Sequence, residues 1–445
     1  MADFPNVVMV VLDTMRRDVL KIYGGSARTP CIEALASDGE VYRNCIAPSP
    51  WTVPSHATLF TGLTPSVHGV HETRDRKIFE LYGAMAESGL ETLAGYLRRR
   101  GYDTAGYSAN PSVSPGTGFD AGFSHFQYFD MKEKSDQEAS AALGRASSYG
   151  RSKWEIAKNL LKEGKLSELA RLYSARRRVS AGYRKRGFPM VKRGDAIAAA
   201  LSSRRLEEPF FTFVNFCEMH EPYVRPNEPS TVADIFGREK VDPPLLKKIR
   251  QAYVTEAEIV DGFVGSIVQH VKSLGAYERT LFVVTSDHGQ ALKEKGFYGH
   301  GSYMYDEILE VPLIVKYPKG KRQTPTNGYQ PLARVPELVK DSLLGLEGSG
   351  SLDAGAAVAE SFGSPESFSK YAGTEGFEAK SDAVDRPRKA VYSGSSKLVV
   401  DGKDGRVEEF TVAGRPGDPK ENREEYSRLR AILAELKDQS FAIPG

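Results

Sequence analysis

Asp13 closes the apolar run NVVMVVL (6–12), and Asp287 and His288 stand at the end of another, TLFVVTS (280–286). Two carboxylates and an imidazole are ligands for a divalent cation. The set suits Ca²⁺, Mg²⁺, Mn²⁺ or Zn²⁺ without choosing among them. His220 lies shortly after a third apolar run, FFTFVNF (210–216). Six of the eight histidines (His56, His68, His71, His220, His288, His300) fall in polar stretches marked by Gly or Pro. Together they favour a shared site, although each alone fits a surface or core residue. Asp13 read alone also fits a helix cap beside Thr14.

The densest motif is WTVPSHATLFTG (51–62). Pro54 fits the first turn of a helix, where a missing N–H costs nothing. Thr52 then falls at or before the N-cap, with its hydroxyl near the positive end of the helix. A phosphate or sulfate group binds well at such a place. A hydroxyl at its free pKa is a poor nucleophile and needs a metal or base to activate it. The plainer reading is that Thr52 only caps the helix, with Ser55 and His56 as surface polar residues.

The elements that must position these groups read as an α/β layer structure. Unbroken apolar runs at 6–12, 210–216, 280–286 and 311–318 fit strands buried on both faces of a parallel sheet. Sheets of that kind collect residues distant in sequence at the carboxyl ends of their strands. VYRNCIA (41–47) and DTAGYSA (103–109) fit further strands. Residues 29–40, 88–100 and 243–275 fit helices, the last with the stripe Ile249, Tyr253, Ile259, Phe263, Ile267. Residues 131–207 read as a polar, mostly helical insertion. After residue 340 the texture turns Gly-rich, then RKAVYSGSSKLVVDG and GRVEEFTVAG fit antiparallel strands before a charged helix near 422–437.

Composition narrows the function classes. With 445 residues the chain can bury a large core. Three cysteines and no C-x-x-C rule out a disulfide framework, a cysteine-built zinc site and a dithiol redox motif. The opening segment reads as neither a signal peptide nor a membrane span, so a cytoplasmic location is expected. A net charge of +2 gives no general pull toward a charged partner. Residues 151–200 depart from that average, with fourteen Lys or Arg against four Asp or Glu. They fit a solvated helical hairpin, or a basic cover beside an anionic substrate. No nucleic-acid-binding signature is visible.

Several ordered segments resemble the sulfatase-like branch of the alkaline phosphatase superfamily: VVMVVLDTMRRD (7–18), WTVPSHATLFTGLTPSVHGV (51–70), FFTFVNFCEMHEPY (210–223), YVTEAEIVDGFVG (253–265), LFVVTSDHG (281–289) and YGHGSYMYDEILEVPLIVKYP (298–318). The resemblance implies a three-layer α/β sandwich with a mostly parallel central sheet. The texture of the chain itself reads as a main α/β layer structure over 1–345, the catalytic domain of the resemblance, carrying the basic helical insertion at about 131–207, and a small C-terminal α+β subdomain over 365–445. The resemblance implies one divalent metal at Asp13, Asp287 and His288, with Thr52 and Thr14 also among the metal-site residues, and room for a second ion. Thr52 takes the nucleophile position. His220 and His300 are placed on the substrate's oxygens or leaving group, Arg16 close to the metal, His56 behind the nucleophile, and Asn110 near a substrate-binding position. His71 is a pocket-lining candidate.

Departures from the family pattern carry the functional question. Sulfatases convert Cys or Ser at the nucleophile position to formylglycine, and threonine cannot follow that route. Thr14 replaces a second aspartate, and Lys295 stands where relatives often carry a histidine. A two-metal phosphatase needs another carboxylate with two histidines; His220 and His300 fit, and Glu218 is a loose candidate for the acid. The expected function is therefore metal-dependent hydrolysis of a small anionic phosphate-type ester (phosphodiester, phosphomonoester or phosphonate ester) through a covalent threonine intermediate. The alternatives are a sulfatase using unmodified threonine, a phosphoryl transferase or mutase, and a silent binding scaffold. A homo-oligomer is compatible with all of these.

Overall fold

The structure, a computed structural model, describes residues 4–130, 153–165, 167, 192–224, 228–237, 240–320, 328–345 and 352–440. Contacts divide the chain into two compact units. One comprises Met1–Phe129, Arg193–Glu221 and Pro229–Gly445, the other Asp130–Lys192 and Pro222–Glu228. The basic stretch at 151–200 lies for its larger part outside the described residues. Within it, Lys153–Lys162 and Gly194–Ser203 are helices.

The first unit is an α/β three-layer sandwich around a seven-stranded sheet. Its spatial order is Glu40–Tyr42, Leu313–Lys316, Thr280–Thr285, Asn6–Leu12, Phe210–Phe216, Asp103–Ser108, His125–Tyr128. The five strands from Thr280–Thr285 to His125–Tyr128 run parallel. Leu313–Lys316 pairs antiparallel with both its neighbours. The three apolar runs at its centre are buried at every position, as their unbroken β-branched and aromatic composition requires. They all end at the same edge, which brings Asp13, His220 and Asp287–His288 together.

Helices cover the sheet. The long helix Pro243–Ser273 starts behind an Asp242 side-chain cap and packs against Pro30–Ser37 and Gly194–Ser203. Thr52–Thr61 packs with Pro65–His68, Leu93–Arg98 and Val335–Leu343. Val7, Met9 and Val11 of the central strand share a core with Val53, Ala57 and Phe60. Phe60 meets Phe119 and Phe213 edge-to-face at 5.4 and 4.9 Å, contacts that each add about 1 kcal/mol beyond area burial. The Thr52 helix is thus held on a rigid wall.

The segment at 41–47 differs from its expectation as a single strand. It breaks into Glu40–Tyr42 and Cys45–Ile46, which belong to different sheets. The expected helix at 88–100 is shorter, Leu93–Arg98, because Thr92 caps it by accepting from the Gly95 N–H. A separate five-stranded antiparallel sheet follows: Ala356–Phe362, Pro387–Ser393, Ser396–Asp401, Val407–Val412, Arg415–Pro416. Its first strand lies upstream of residue 365, because AAVAESF within the Gly-rich texture pairs along its whole length with Pro387–Ser393. One face, with Ala357, Ala359, Ala390 and Tyr392, joins the main core. The other, with Val391, Leu398 and Phe410, takes Leu429 and Leu433 of the final helix. Among the described residues no helix is long and apolar enough to cross a membrane.

Candidate active site

Asp13, Asp287 and His288 converge at the sheet edge. They are fully buried and offer ligand atoms all within 4.8 Å of one another. Each is oriented by a neighbour that occupies one of its two polar atoms. Asn110 donates its side-chain amide to Asp13 Oδ2. The backbone N–H groups of Thr14 and His288 donate to Asp287 Oδ1 at 3.2 and 2.9 Å. His288 Nδ1 lies 2.9 Å from the Gly289 carbonyl, so Nδ1 carries the proton and Nε2 the lone pair. Asp13 Oδ1, Asp287 Oδ2 and Thr14 Oγ1 are buried with no hydrogen-bond partner among the described residues. Burial raises the Asp13 carboxyl above its usual range, and Asp287 raises it further, against the pull of His220, His288 and His56. Orphaned carboxylate oxygens, a fixed imidazole lone pair and excess negative charge fit one divalent cation.

Thr14 has φ 60°, the left-handed region, which a β-branched residue enters only under constraint. Tyr253 supplies part of that constraint: its hydroxyl accepts from Arg16 N at 2.9 Å and donates to the Thr14 carbonyl at 2.6 Å. The turn aims the Thr14 N–H at Asp287. Gly289 follows His288 because the chain passes against the Glu307 carbonyl, where a Cβ has no room.

Thr52 reaches the cluster, its Oγ1 lying 3.3 Å from His288 Nε2. It is the first residue of helix Thr52–Thr61, one position inside the expected boundary, and Trp51 is the N-cap. His56 is fully buried, not a surface residue. Its Nδ1 sits 3.0 Å from the Thr52 carbonyl and 3.4 Å from Asp287 Oδ2, and its Nε2 meets the Asn215 amide at 3.3 Å. Burial lowers its pKa to about 4, so the ring is neutral near pH 7. Asn215 continues to Ser108 Oγ, which in turn accepts from Asn110 N.

A second group, His220, Glu221 and His300, also offers ligand atoms within 4.8 Å. His220 Nδ1 meets the Glu221 carbonyl at 2.8 Å, and His300 Nδ1 meets Gln290 Oε1 at 2.6 Å. The Gln290 amide donates to Glu221 Oε2, so one side chain orients both partners. Burial holds His300 well below the usual imidazole range, aided by His288 and His220. The His288 and His300 rings lie 4.6 Å apart, so the groups adjoin. The donor set suits a second divalent cation.

The remaining candidates are held by other partners. The Arg16 guanidinium pairs with Asp18 and Glu294 and donates to the Gln290 carbonyl. Glu218 accepts the Gly194 N–H and is not in either group. His71 stacks on Phe362, and His68 bonds Thr58, the Pro54 carbonyl and the Val70 N–H. Lys295 pairs with Glu409. Sequence reasoning missed Glu221, Gln290, Asn215 and Tyr253. The adjacency of Glu221 to His220, and of Gln290 to the Asp287–Gly289 turn, was the available signal.

The sulfatase family profile matches residues 5–339, a span that holds both groups and Thr52. The chain is 22% identical over 347 residues to the uncharacterized sulfatase YidJ of Escherichia coli, covering 72% of this chain and 64% of that one. It is 23% identical over 376 residues to human iduronate 2-sulfatase, covering 73% and 62%. Alignments to three bacterial sulfatases, YidJ among them, cover 61 to 66% of those relatives' length. Among solved structures, the phosphonate monoester hydrolase of Agrobacterium radiobacter superposes with TM-score 0.61 at 18% identity, covering 98% of this chain and 95% of that one. A 2-O GAG sulfatase superposes with TM-score 0.63 at 15% identity, covering 99% and 93%. These likenesses establish the shared fold, and the profile match establishes the family. The chain belongs to the sulfatase family of the alkaline phosphatase superfamily.

Proposed function

We propose that this chain is a metal-dependent hydrolase of small anionic esters, acting on a sulfate ester through an unmodified Thr52. The carrying observation is the Thr52 hydroxyl, 3.3 Å from His288 Nε2 beside the buried ligand group, within a sulfatase-family stretch. Asp13, Asp287 and His288 would hold a divalent cation, and the Thr14 and Thr52 hydroxyls belong to the same group of residues. The chemistry supplied by a cation bound there would be a lowered hydroxyl pKa and compensation of charge on the ester's non-bridging oxygens. Thr52 Oγ1 loses its proton and attacks sulfur in line; the bond from sulfur to the ester oxygen breaks, and that oxygen takes up a proton to leave as the alcohol. Water then attacks the adduct at sulfur, releasing sulfate and restoring the hydroxyl. His56 and Asn110 act through Thr52 and Asp13. Two carboxylates balance one dication, which suits a monoanionic ester. The proposal includes a cytoplasmic location, in keeping with three cysteines none of which is in a disulfide.

A second reading, a phosphate-type ester, rests on His220 and His300. Both turn Nδ1 toward an oxygen acceptor. Each ring, when neutral, therefore carries its lone pair on Nε2, which suits a cation better than an anionic oxygen. A second cation there adds charge for a phosphate ester, and threonine cannot become formylglycine.

The test is a panel of aryl sulfate, aryl phosphate, bis-aryl phosphate and phosphonate ester, run with metal counted per chain. Preference for the sulfate at one ion supports the first reading; preference for a phosphorus ester at two supports the second. Thr52→Ala should abolish turnover with the fold intact, and Thr52→Ser should keep a substantial part of the rate. Rapid-quench mass spectrometry should find an adduct on the wild type and none on T52A. Near wild-type turnover by T52A would end the covalent reading.

A further inference from the structure

The residue before Thr52 is tied through one side chain to the C-terminal sheet. Trp51 caps the Thr52 helix in extended conformation, φ −159° and ψ 171°, with no side-chain cap bond. Its ring is 2% exposed. Its indole Nε1–H donates to Glu72 Oε2 at 2.6 Å. The other carboxylate oxygen, Glu72 Oε1, accepts the Phe362 backbone N–H at 2.8 Å and lies 3.5 Å from Ser361 Oγ. Glu72 is fully buried. A carboxylate placed only to fill that space would be a poor choice, because a buried charge is costly unless its oxygens are occupied. Here both are.

Ser361 and Phe362 end the first strand of the C-terminal sheet. That strand touches the nucleophile segment twice more. Glu360 N donates to the Pro48 carbonyl at 2.8 Å, and Ser66 N donates to Glu360 Oε2 at 2.9 Å. On the opposite flank, the Pro50 carbonyl accepts from Gly301 N at 2.9 Å, next to His300. Residues 48–52 are therefore tied to the His300 loop at one point and to the C-terminal sheet at others. Of the contacts with the sheet, the Glu72 link is the one that fixes a side chain next to Thr52. Rotation of the indole breaks this hydrogen bond at a buried site, where neither partner finds water as a replacement.

We propose that Glu72 is a positioning residue for Thr52: its carboxylate joins Trp51 to strand Ala356–Phe362, so that the C-terminal sheet sets where the nucleophile stands. The proposal rests on the reading of Thr52 as nucleophile. It gives the C-terminal sheet, which supplies none of the candidate ligands, a part in the reaction.

Glu72→Gln keeps the volume but turns an amide N–H₂ toward one of the two N–H donors. Trp51→Phe removes the donor from the other side. Each variant should lower kcat by about ten- to a hundredfold, the loss expected from a misplacement near 1 Å. KM and calorimetric metal affinity should stay within about twofold, since Glu72 touches no proposed ligand. The rate is read per competent site, from the burst amplitude after rapid quench. In a Trp154→Phe background, where Trp51 is the only tryptophan left, E72Q should shift the emission of the folded protein. Losses from W51F and E72Q should not add in the double variant, since both break one link. Wild-type kcat per competent site in E72Q, or additive losses, would overturn the link while T52A remains inactive. Turnover by T52A would instead overturn the nucleophile reading on which it rests.

Discussion

Each proposed ligand is half occupied and half available. Asn110 takes one oxygen of Asp13, two backbone N–H groups take one oxygen of Asp287, and the Gly289 carbonyl takes the Nδ1 proton of His288. What remains is one acceptor atom on each of three residues whose ligand atoms lie within 4.8 Å of one another. Asp287→Asn removes a charge and can turn N–H groups toward the cation, so bound metal and turnover should both fall. Asn110→Ala leaves all three ligands in place and frees the Asp13 carboxylate to rotate. Its metal affinity should fall by about ten- to a hundredfold, the usual effect of losing a partner that orients a ligand. Elemental analysis and calorimetry check both. Metal content unchanged in D287N would remove Asp287 from the ligand set. Unchanged affinity in N110A would show that the rest of the site already fixes Asp13.

The helix Thr52–Thr61 is buried from its first residue to Phe60, and its placement depends on an ionisable group outside it. Burial raises the Glu72 pKa from 4.5 to about 7, against the pull of its hydrogen bonds and Lys77. The sign follows from proton uptake. Between about pH 4.5 and 7 the folded chain holds a proton on Glu72 that the unfolded chain has released. This contribution to stability is full below pH 4.5, falls as pH rises to 7, and is flat above. Its size is about 3 kcal/mol at most. Denaturant unfolding across that range should show a shallower pH slope in E72Q than in the wild type, and equal slopes would place the Glu72 proton elsewhere. Such a link is invisible in sequence, because Glu72 and Phe362 meet only in the fold. The same holds for Asn215, which bridges His56 and Ser108 from within an apolar run, and for the Arg16–Glu294 pair. By contrast, the apolar runs ending near Asp13, Asp287 and His220 were legible, since continuous β-branched stretches admit few other placements. The Thr52 helix was legible from Pro54, though not its first residue, because nothing in Trp51 announces an N-cap.

At the scale of the molecule, both ligand groups and Thr52 belong to one compact unit, while Asp130–Lys192 and Pro222–Glu228 form another. The chemistry can therefore be separated from whatever the second unit contributes. That unit holds most of a stretch in which Lys and Arg outnumber Asp and Glu by fourteen to four, and we propose that its positive charge gathers anionic substrate. Replacing residues 131–191 by a short Gly-Ser linker should leave cooperative unfolding and metal binding by the first unit intact. It should change the ranking of esters in the substrate panel. Field effects of exposed charge are screened over about 8 Å at physiological ionic strength, so the salt dependence of KM reads the basic segment directly. In the wild type, KM for an anionic ester should rise with salt; in the deletion it should rise less. Loss of cooperative unfolding in the deletion would make the segment part of the core. An unchanged salt dependence, with the fold preserved, would assign substrate gathering to the site's own charges and leave the basic stretch as a solvated face.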